Sequence, residues 1–145
     1  VDSCRENLRE FSRTDLPNLL YVIASAQSLP GELSGLVSHV TINFPWGSLL
    51  GSLLDGDPRL LHGLESAVGS GARLEVRLNG GALSEAGWDL EDGAERIREH
   101  LACAGWQVSA PARMDSRALR NFPSTWAKRL AFGRDPRAVQ FNAQI

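Results

Sequence analysis

The chain holds only two cysteines, Cys4 and Cys103, in 145 residues. They are too few for a disulfide framework, and neither has a histidine or a second cysteine at metal-ligand spacing, so both are expected to be reduced, structural thiols. His39, His62 and His100 are scattered, which leaves no metal site and no catalytic histidine. No run of eighteen apolar residues occurs, and Val1-Asp2-Ser3-Cys4-Arg5 has no basic region followed by an apolar one, so neither a membrane span nor a secretory leader is expected. A soluble, cytoplasmic protein is the expectation. Lysine occurs once, as Lys128, and the remaining basic residues are arginines. Arginine's planar fork suits phosphate and base edges, although a GC-rich coding sequence gives the same bias.

What is present fits a single globular domain over residues 1–145: 43% hydrophobic and 22% charged residues supply one core. The net charge of −2 averages two unlike regions. Glu85 to Glu99 includes Asp89, Glu91, Asp92 and Glu95 against Arg96 and Arg98. Arg113 to Arg137 includes Arg117, Arg120, Lys128, Arg129 and Arg134 against Asp115 and Asp135. The C-terminal end is the one suited to an anionic partner.

Periodicity and punctuation alternate strands with helices. Ser3 to Phe11 reads as a short helix, Leu19 to Ala24 as a buried strand, Pro30 to Val37 as a second short helix, and His39 to Phe44 as a strand stopped by Pro45. Ser48 to Leu54 and Pro58 to Val68 have helical leucine spacing. After a Gly69-Ser70-Gly71 turn, Arg73 to Leu78 alternates as a strand. Leu90 to Ala104 is an amphipathic helix closed by Gly105, and Trp106 to Ala110 and Ala138 to Ala143 are final strands able to pair antiparallel. This order predicts an α/β fold, a largely parallel sheet with helices on both faces, with ligands gathered at the carboxyl ends of the strands.

Those strand ends carry the candidate chemistry. Asp2 either accepts the hydroxyls of a nucleoside ribose or caps the following helix. Ala24-Ser25-Ala26-Gln27-Ser28-Leu29-Pro30 offers small residues and an amide to an adenine edge, or is an ordinary turn. In Asn43-Phe44-Pro45-Trp46-Gly47, proline removes a donor and holds the backbone extended, leaving carbonyls to face an exocyclic amine and Trp46 to face a base, or to pack under the next helix. Phe122 to Arg134 mixes aromatics with Lys128, Arg129 and Arg134, the composition of a nucleic-acid contact or of a solvated basic helix face. Trp106, opening an apolar strand, reads as core; Trp88 fits either role.

Taken together, Leu16-Pro17-Asn18-Leu19-Leu20-Tyr21-Val22, Ser28-Leu29-Pro30, Phe44-Pro45-Trp46-Gly47-Ser48-Leu49-Leu50 and Trp126-Ala127-Lys128-Arg129-Leu130 resemble the Kam and Npm family. Those enzymes have a class I, Rossmann-like methyltransferase fold. They use S-adenosylmethionine to methylate N1 of adenine 1408 in 16S rRNA and confer aminoglycoside resistance. The resemblance implies that Trp46 and Trp126 clamp a flipped adenine, with Pro45 and Ser124 in the same catalytic pocket. It implies that Asp2, Ser25, Ala26, Gln27, Asn43 and Ser124 meet the cofactor, Asp2 at its ribose, and that Lys128, Arg129, Arg134 and Arg137 grip rRNA in the assembled 30S subunit. A monomer that needs neither metal nor membrane is implied as well.

Three departures from the family accompany the likeness. The connection between the first helix and Leu19 is shorter than usual and lacks the lysines often found there, which bears on part of the RNA-docking surface. An acidic residue is more usual where Gln27 stands. The family's first strand and glycine-rich turn, which wrap the methionine end of the cofactor, have no counterpart ahead of Asp2, and no Gly-x-Gly marks a later strand-to-helix turn. The expected consequences are a sheet lacking a central strand, unpaired strand edges on either side of it, weak cofactor binding and little activity for the chain by itself. Two other readings remain at this level: a small-molecule methyltransferase of the same fold, and an RNA-binding fragment without catalysis.

Overall fold

The computed structural model describes Asn18, Leu20, residues 22–133 and residues 135–145, with the backbone alone at Thr125 and Trp126. The expected helix Ser3 to Phe11, Asp2, Arg134 and the ring of Trp126 lie outside the described residues.

Beyond a 3-10 turn at Gly31–Leu33, the elements in chain order are β1 (Val37–Asn43), α1 (Gly47–Asp55), α2 (Pro58–Ala67), β2 (Val68–Asn79), α3 (Gly80–Glu85), α4 (Leu90–Cys103), β3 (Gln107–Val108), β4 (Ala112–Met114), α5 (Ser116–Asn121), α6 (Thr125–Ala131) and β5 (Ala138–Gln144). The sheet order is β1-β2-β5-β3, with β4 also on β5. β1 and β2 run parallel, and β5 runs antiparallel to β2, β3 and β4. The expected antiparallel pairing of the last strands is therefore present, with β5 lying between β2 and β3.

Residue alternation assigns the two faces of the sheet. Ile42, Leu74, Val76, Leu78, Val139 and Phe141 point to one face, where Leu50 and Leu53 of α1, Leu60 and Leu64 of α2, Leu83 of α3 and Ile97 and Leu101 of α4 cover them. Each such aliphatic side chain contributes about 1.5–3 kcal/mol on burial, so this layer is the main source of stability. Trp106, only 3% exposed, joins it as expected. Ala138, one residue from Val139, points to the other face, into a second cluster with Phe44, Met114, Leu119 of α5 and Ala127 of α6. Among the described residues helices thus flank both faces, the second only at the carboxyl ends of β1 and β2. The rest of that second face is polar, with His39 opposite Arg73, Thr41 opposite Glu75, and Glu75 opposite Asn142.

Capping fixes the helix ends. Asp57, Asn79, Asp89, Asp115 and Ser124 each accept from a backbone N–H in the first turn of α2, α3, α4, α5 and α6. Gly56 ends α1 in the left-handed region at φ 63°, and a Cβ there would come within 2.7 Å of the His100 ring, whose Nδ1 lies 3.2 Å from the Leu53 carbonyl. Gly105 closes α4 at φ 91°, as its sequence position suggests.

Three expected elements differ. Of the anticipated buried strand Leu19 to Ala24, residues 20 and 22–24 are in no strand, and Leu20, Val22 and Ile23 are 82, 55 and 52% exposed. Among the described residues no strand lies beyond β1, and residues 20 and 22–24 do not pair with its open edge. The Pro30 to Val37 helix is cut to a 3-10 turn by Gly35, at φ 68°, whose N–H goes to the Ser66 carbonyl. Gly69-Ser70-Gly71 is no turn; it lies within β2 as an irregular stretch, since pairing steps from Val37 and Val68 to His39 and Arg73. Gly71, at φ 76°, donates to the Ile145 carbonyl and keeps the strand in the sheet. β1 forms an edge among the described strands.

Candidate functional site

β1 ends at Asn43, and the chain then turns sharply. Phe44 has φ 51°, a left-handed conformation that a bulky residue rarely adopts, yet its side chain is only 5% exposed. Two contacts hold it there. Its N–H donates to the Arg77 carbonyl at 2.8 Å, and its ring meets that of Phe122 edge to face with centroids 6.1 Å apart. Pro45 follows, buried, and Trp46 is extended at the start of α1 with 48% of its surface exposed. Half of this indole faces solvent, which favours a ring offered to a ligand over one packed under the next helix.

The second aromatic segment is brought to the same place by the second cluster. Phe122 packs against Phe44, and Ala127, fully buried, ties α6 to it. Ser124 caps α6, its Oγ accepting from the Ala127 N–H at 3.4 Å. Trp126 follows within the first turn of that helix. The two tryptophan-bearing segments are far apart in sequence, yet both are anchored on the Phe44–Phe122 contact.

Arg77 is the residue that sequence reasoning missed. From β2 its Nη1 donates to Asn43 Oδ1 at 3.0 Å and its Nη2 to Glu75, while its guanidinium lies 4.5 Å from the centre of the Phe122 ring. Glu75 also meets His39 Nε2 at 3.3 Å. In sequence Arg77 is one polar residue in an alternating strand; only the register, which puts it opposite Asn43, reveals its position. Asn43, expected to meet the cofactor, has its amide oxygen held by Arg77.

Ser25, Ala26 and Gln27 form a tight turn, with the Ser28 N–H donating to the Ser25 carbonyl and the Gln27 N–H to Ser25 Oγ. Together with Ala24 they face Ser48, Leu49 and Ser52 of α1 and Leu60 of α2 across a cleft of about 290 Å³. The cleft begins within a turn of Trp46. Gln27 Nε2 donates to Asp57 at 2.5 Å and Ser52 at 3.2 Å, and among the described residues its Oε1 accepts nothing. An amide held this way presents an acceptor, the chemistry an adenine amino group requires and the one that the more usual acidic residue would supply. The walls of the cleft are alanine and leucine, with serine hydroxyls among them. Backbone donation from Arg59, above all, holds the Asp57 carboxyl below its ordinary range.

The basic residues divide. Lys128 and Arg129 on α6 are exposed, as are Arg117 and Arg120 on α5. Arg137 instead forms a two-point pair with Asp135, at 2.9 Å on each side, which lowers the Asp135 pKa and raises that of Arg137. Arg113 is paired with Glu91. Trp88 is 37% exposed, beside the start of α4. Among the described residues no cluster of histidine, cysteine or carboxylate side chains can hold a metal ion, and no helix is long and apolar enough to cross a membrane.

Comparison with known proteins gives a consistent result. The family model NpmA, described as 16S rRNA (adenine(1408)-N(1))-methyltransferase, matches residues 1–145. A 16S rRNA (adenine(1408)-N(1))-methyltransferase of Escherichia coli is 31% identical over 92% of this chain and 69% of its own length. That of Streptoalloteichus hindustanus is 35% identical over 83% of the chain and 59% of its own. Among solved structures, the 16S rRNA methyltransferase KamB superposes with a TM-score of 0.75 at 32% identity, covering 90% of this chain and 64% of KamB. A variant of the Catenulisporales acidiphilia enzyme with cosubstrate SAM superposes with a TM-score of 0.66 at 25% identity, covering 83% of this chain and 58% of that one. The chain therefore spans some three fifths to two thirds of the length of these proteins.

Proposed function

The chain belongs to the NpmA family of 16S rRNA (adenine(1408)-N(1))-methyltransferases, and from that premise we propose that it supplies the base-holding part of an enzyme that methylates N1 of adenine 1408. The observation that carries the proposal is the convergence of the Asn43-Phe44-Pro45-Trp46 turn and the Ser124-Thr125-Trp126 segment on one aromatic contact at the carboxyl ends of β1 and β2.

S-adenosylmethionine supplies an electrophilic methyl on its sulfonium. Ser25, Ala26 and Gln27 would hold its adenine, with Gln27 Oε1 as acceptor, and Asp2 its ribose; Asn43 is the less direct contact, because Arg77 occupies its amide oxygen. Adenine N1 carries a lone pair and needs no base to make it nucleophilic, so alignment of nucleophile and methyl is the main requirement. Trp46 and Trp126 would hold the flipped base between their faces, Pro45 would leave its carbonyl for the exocyclic amine, and Ser124 would fix the start of α6 over the pocket. Methylation leaves a positive base, which each indole face stabilises by about 0.5–2 kcal/mol.

Lys128, Arg129 and Arg134 would meet the rRNA backbone in the assembled 30S subunit, with Arg117 and Arg120 on the same side of the chain's charge distribution. Arg137, already paired, would contribute less. The modified subunit resists aminoglycosides, and the enzyme works as a monomer in the cytoplasm. To test the reaction, 30S subunits are incubated with the intact protein and methyl-labelled S-adenosylmethionine, and the rRNA is digested to nucleosides. Label in 1-methyladenosine supports the reading. Label in no nucleoside, or transfer to free small molecules instead, refutes it.

A further inference from the structure

Arg77 makes no contact that the reaction itself demands, yet it contacts the base of both tryptophan-bearing segments. Its carbonyl accepts from the Phe44 N–H, its Nη1 donates to the Asn43 amide oxygen, and its guanidinium plane covers Phe122 at 4.5 Å. Phe44 lies two residues before Trp46, and Phe122 two before Ser124. One side chain therefore grips the base of the first segment by hydrogen bond and the base of the second by cation–π attraction. Its side chain is 13% exposed, and among the described residues its buried Nε–H has no partner. A solvated surface arginine would avoid that cost. Burial and two engaged nitrogens also remove it from direct phosphate contact.

Glu75 completes the arrangement. It accepts from Arg77 Nη2 and fixes the rotation of the fork, so that Nη1 faces Asn43 while the flat face is left for the Phe122 ring. A lysine in the same place offers a point charge, unable to satisfy Asn43 and Glu75 in a single plane while presenting a flat face to the ring.

Resting on the methyltransferase reading above, we infer that Arg77 is a positioning residue that sets the separation of the Trp46 and Trp126 segments, and hence the width of the slot into which the target base fits. Its loss misplaces the two segments relative to each other without touching cofactor or rRNA. Turnover on bound subunits suffers, while the affinity for them does not.

The test is Arg77→Met in the intact protein, which keeps an unbranched apolar stem and deletes the fork. Tryptophans are replaced biosynthetically by 5-fluorotryptophan, and the fluorine resonances are assigned by Trp→Phe substitution at each of the four positions. The expected result is a shift or broadening of the Trp46 and Trp126 resonances with that of Trp106, in the other core layer, unchanged. Alongside it, kcat on 30S subunits falls at least tenfold and KM for subunits changes less than twofold. Arg77→Lys falls between the two. Should Arg77→Met not fold, Asn43→Ala and Phe122→Leu remove its partners singly, and each is expected to move both resonances. Unmoved Trp46 and Trp126 resonances, movement of Trp106 along with them, or a loss confined to KM overturns the inference. If the unaltered protein methylates no subunit, the functional reading has failed, and the fluorine spectra still decide the role of Arg77.

Discussion

Phe44 and Phe122 meet edge to face, ring planes at 87°, although one follows β1 and the other lies between α5 and α6. Such a pair contributes about 0.5–1.5 kcal/mol beyond the area it buries. At Phe44 that contact, with the ring's burial, offsets a left-handed backbone at φ 51°. Replacing Phe44 by alanine removes the ring and keeps the strained backbone; replacing it by glycine removes both. Phe44→Gly is therefore expected to be the more stable of the two by about 1 kcal/mol, although glycine is ordinarily the poorer choice at a strand end. Denaturant unfolding of both variants checks this, and an alanine variant at least as stable contradicts it.

Trp46 is half exposed and its neighbour Pro45 is buried. Trp46→Ala should leave the midpoint of thermal unfolding nearly unchanged, within about 0.5 kcal/mol of stability, while methyl transfer falls below detection. A large drop in melting temperature would return the indole to a structural role.

Lys128 and Arg129 are exposed, and Arg137 is paired with Asp135. Removing a cation that touches one phosphate reduces the slope of log affinity against log salt by somewhat less than one unit. Lys128→Ala with Arg129→Ala should flatten that slope for 30S binding by up to about two, with cofactor affinity unchanged. Arg137→Ala should change the slope less. Filter binding at several salt concentrations distinguishes them.

Asp57 caps α2 and holds Gln27, and its carboxyl is kept below the ordinary value first by the Arg59 backbone N–H. Because the folded pKa is depressed, the stability it contributes is full above the unfolded value of about 4. It is lost as pH falls through the folded value. Asp57→Asn should therefore lose stability at neutral pH and show a shallower fall in melting temperature on acidification below about pH 4 than the unaltered chain. Parallel curves for the two would show that the carboxylate charge is not what Asp57 contributes.

Much of the architecture was legible because it depends on local rules. Gly105 closes α4, Pro58 opens α2, Trp106 enters the core, and Pro45 stops a strand. The misreadings share a different cause. Leu19 to Ala24 has a strand's composition, but a strand also needs a neighbour, and β1 has none on that side among the described residues. Gly69-Ser70-Gly71 looks like a turn until the Ile145 carbonyl takes the Gly71 N–H. Arg77 reads as one more polar residue in an alternating strand, and its pairing with Asn43 is hidden, because cross-strand register is not written in either segment alone. The short helices α3 and α5 were missed because six residues give too little periodicity to recognise, although Asn79 and Asp115 are their caps.

The most direct measurement of the central claim is primer extension across the decoding site of 16S rRNA after 30S subunits have been incubated with the intact protein and S-adenosylmethionine. A methyl group on N1 blocks base pairing, so the account predicts a strong stop at adenine 1408 that is absent when Trp46→Ala protein is used. Read-through at adenine 1408 with the unaltered protein, or an equal stop with the variant, would contradict it.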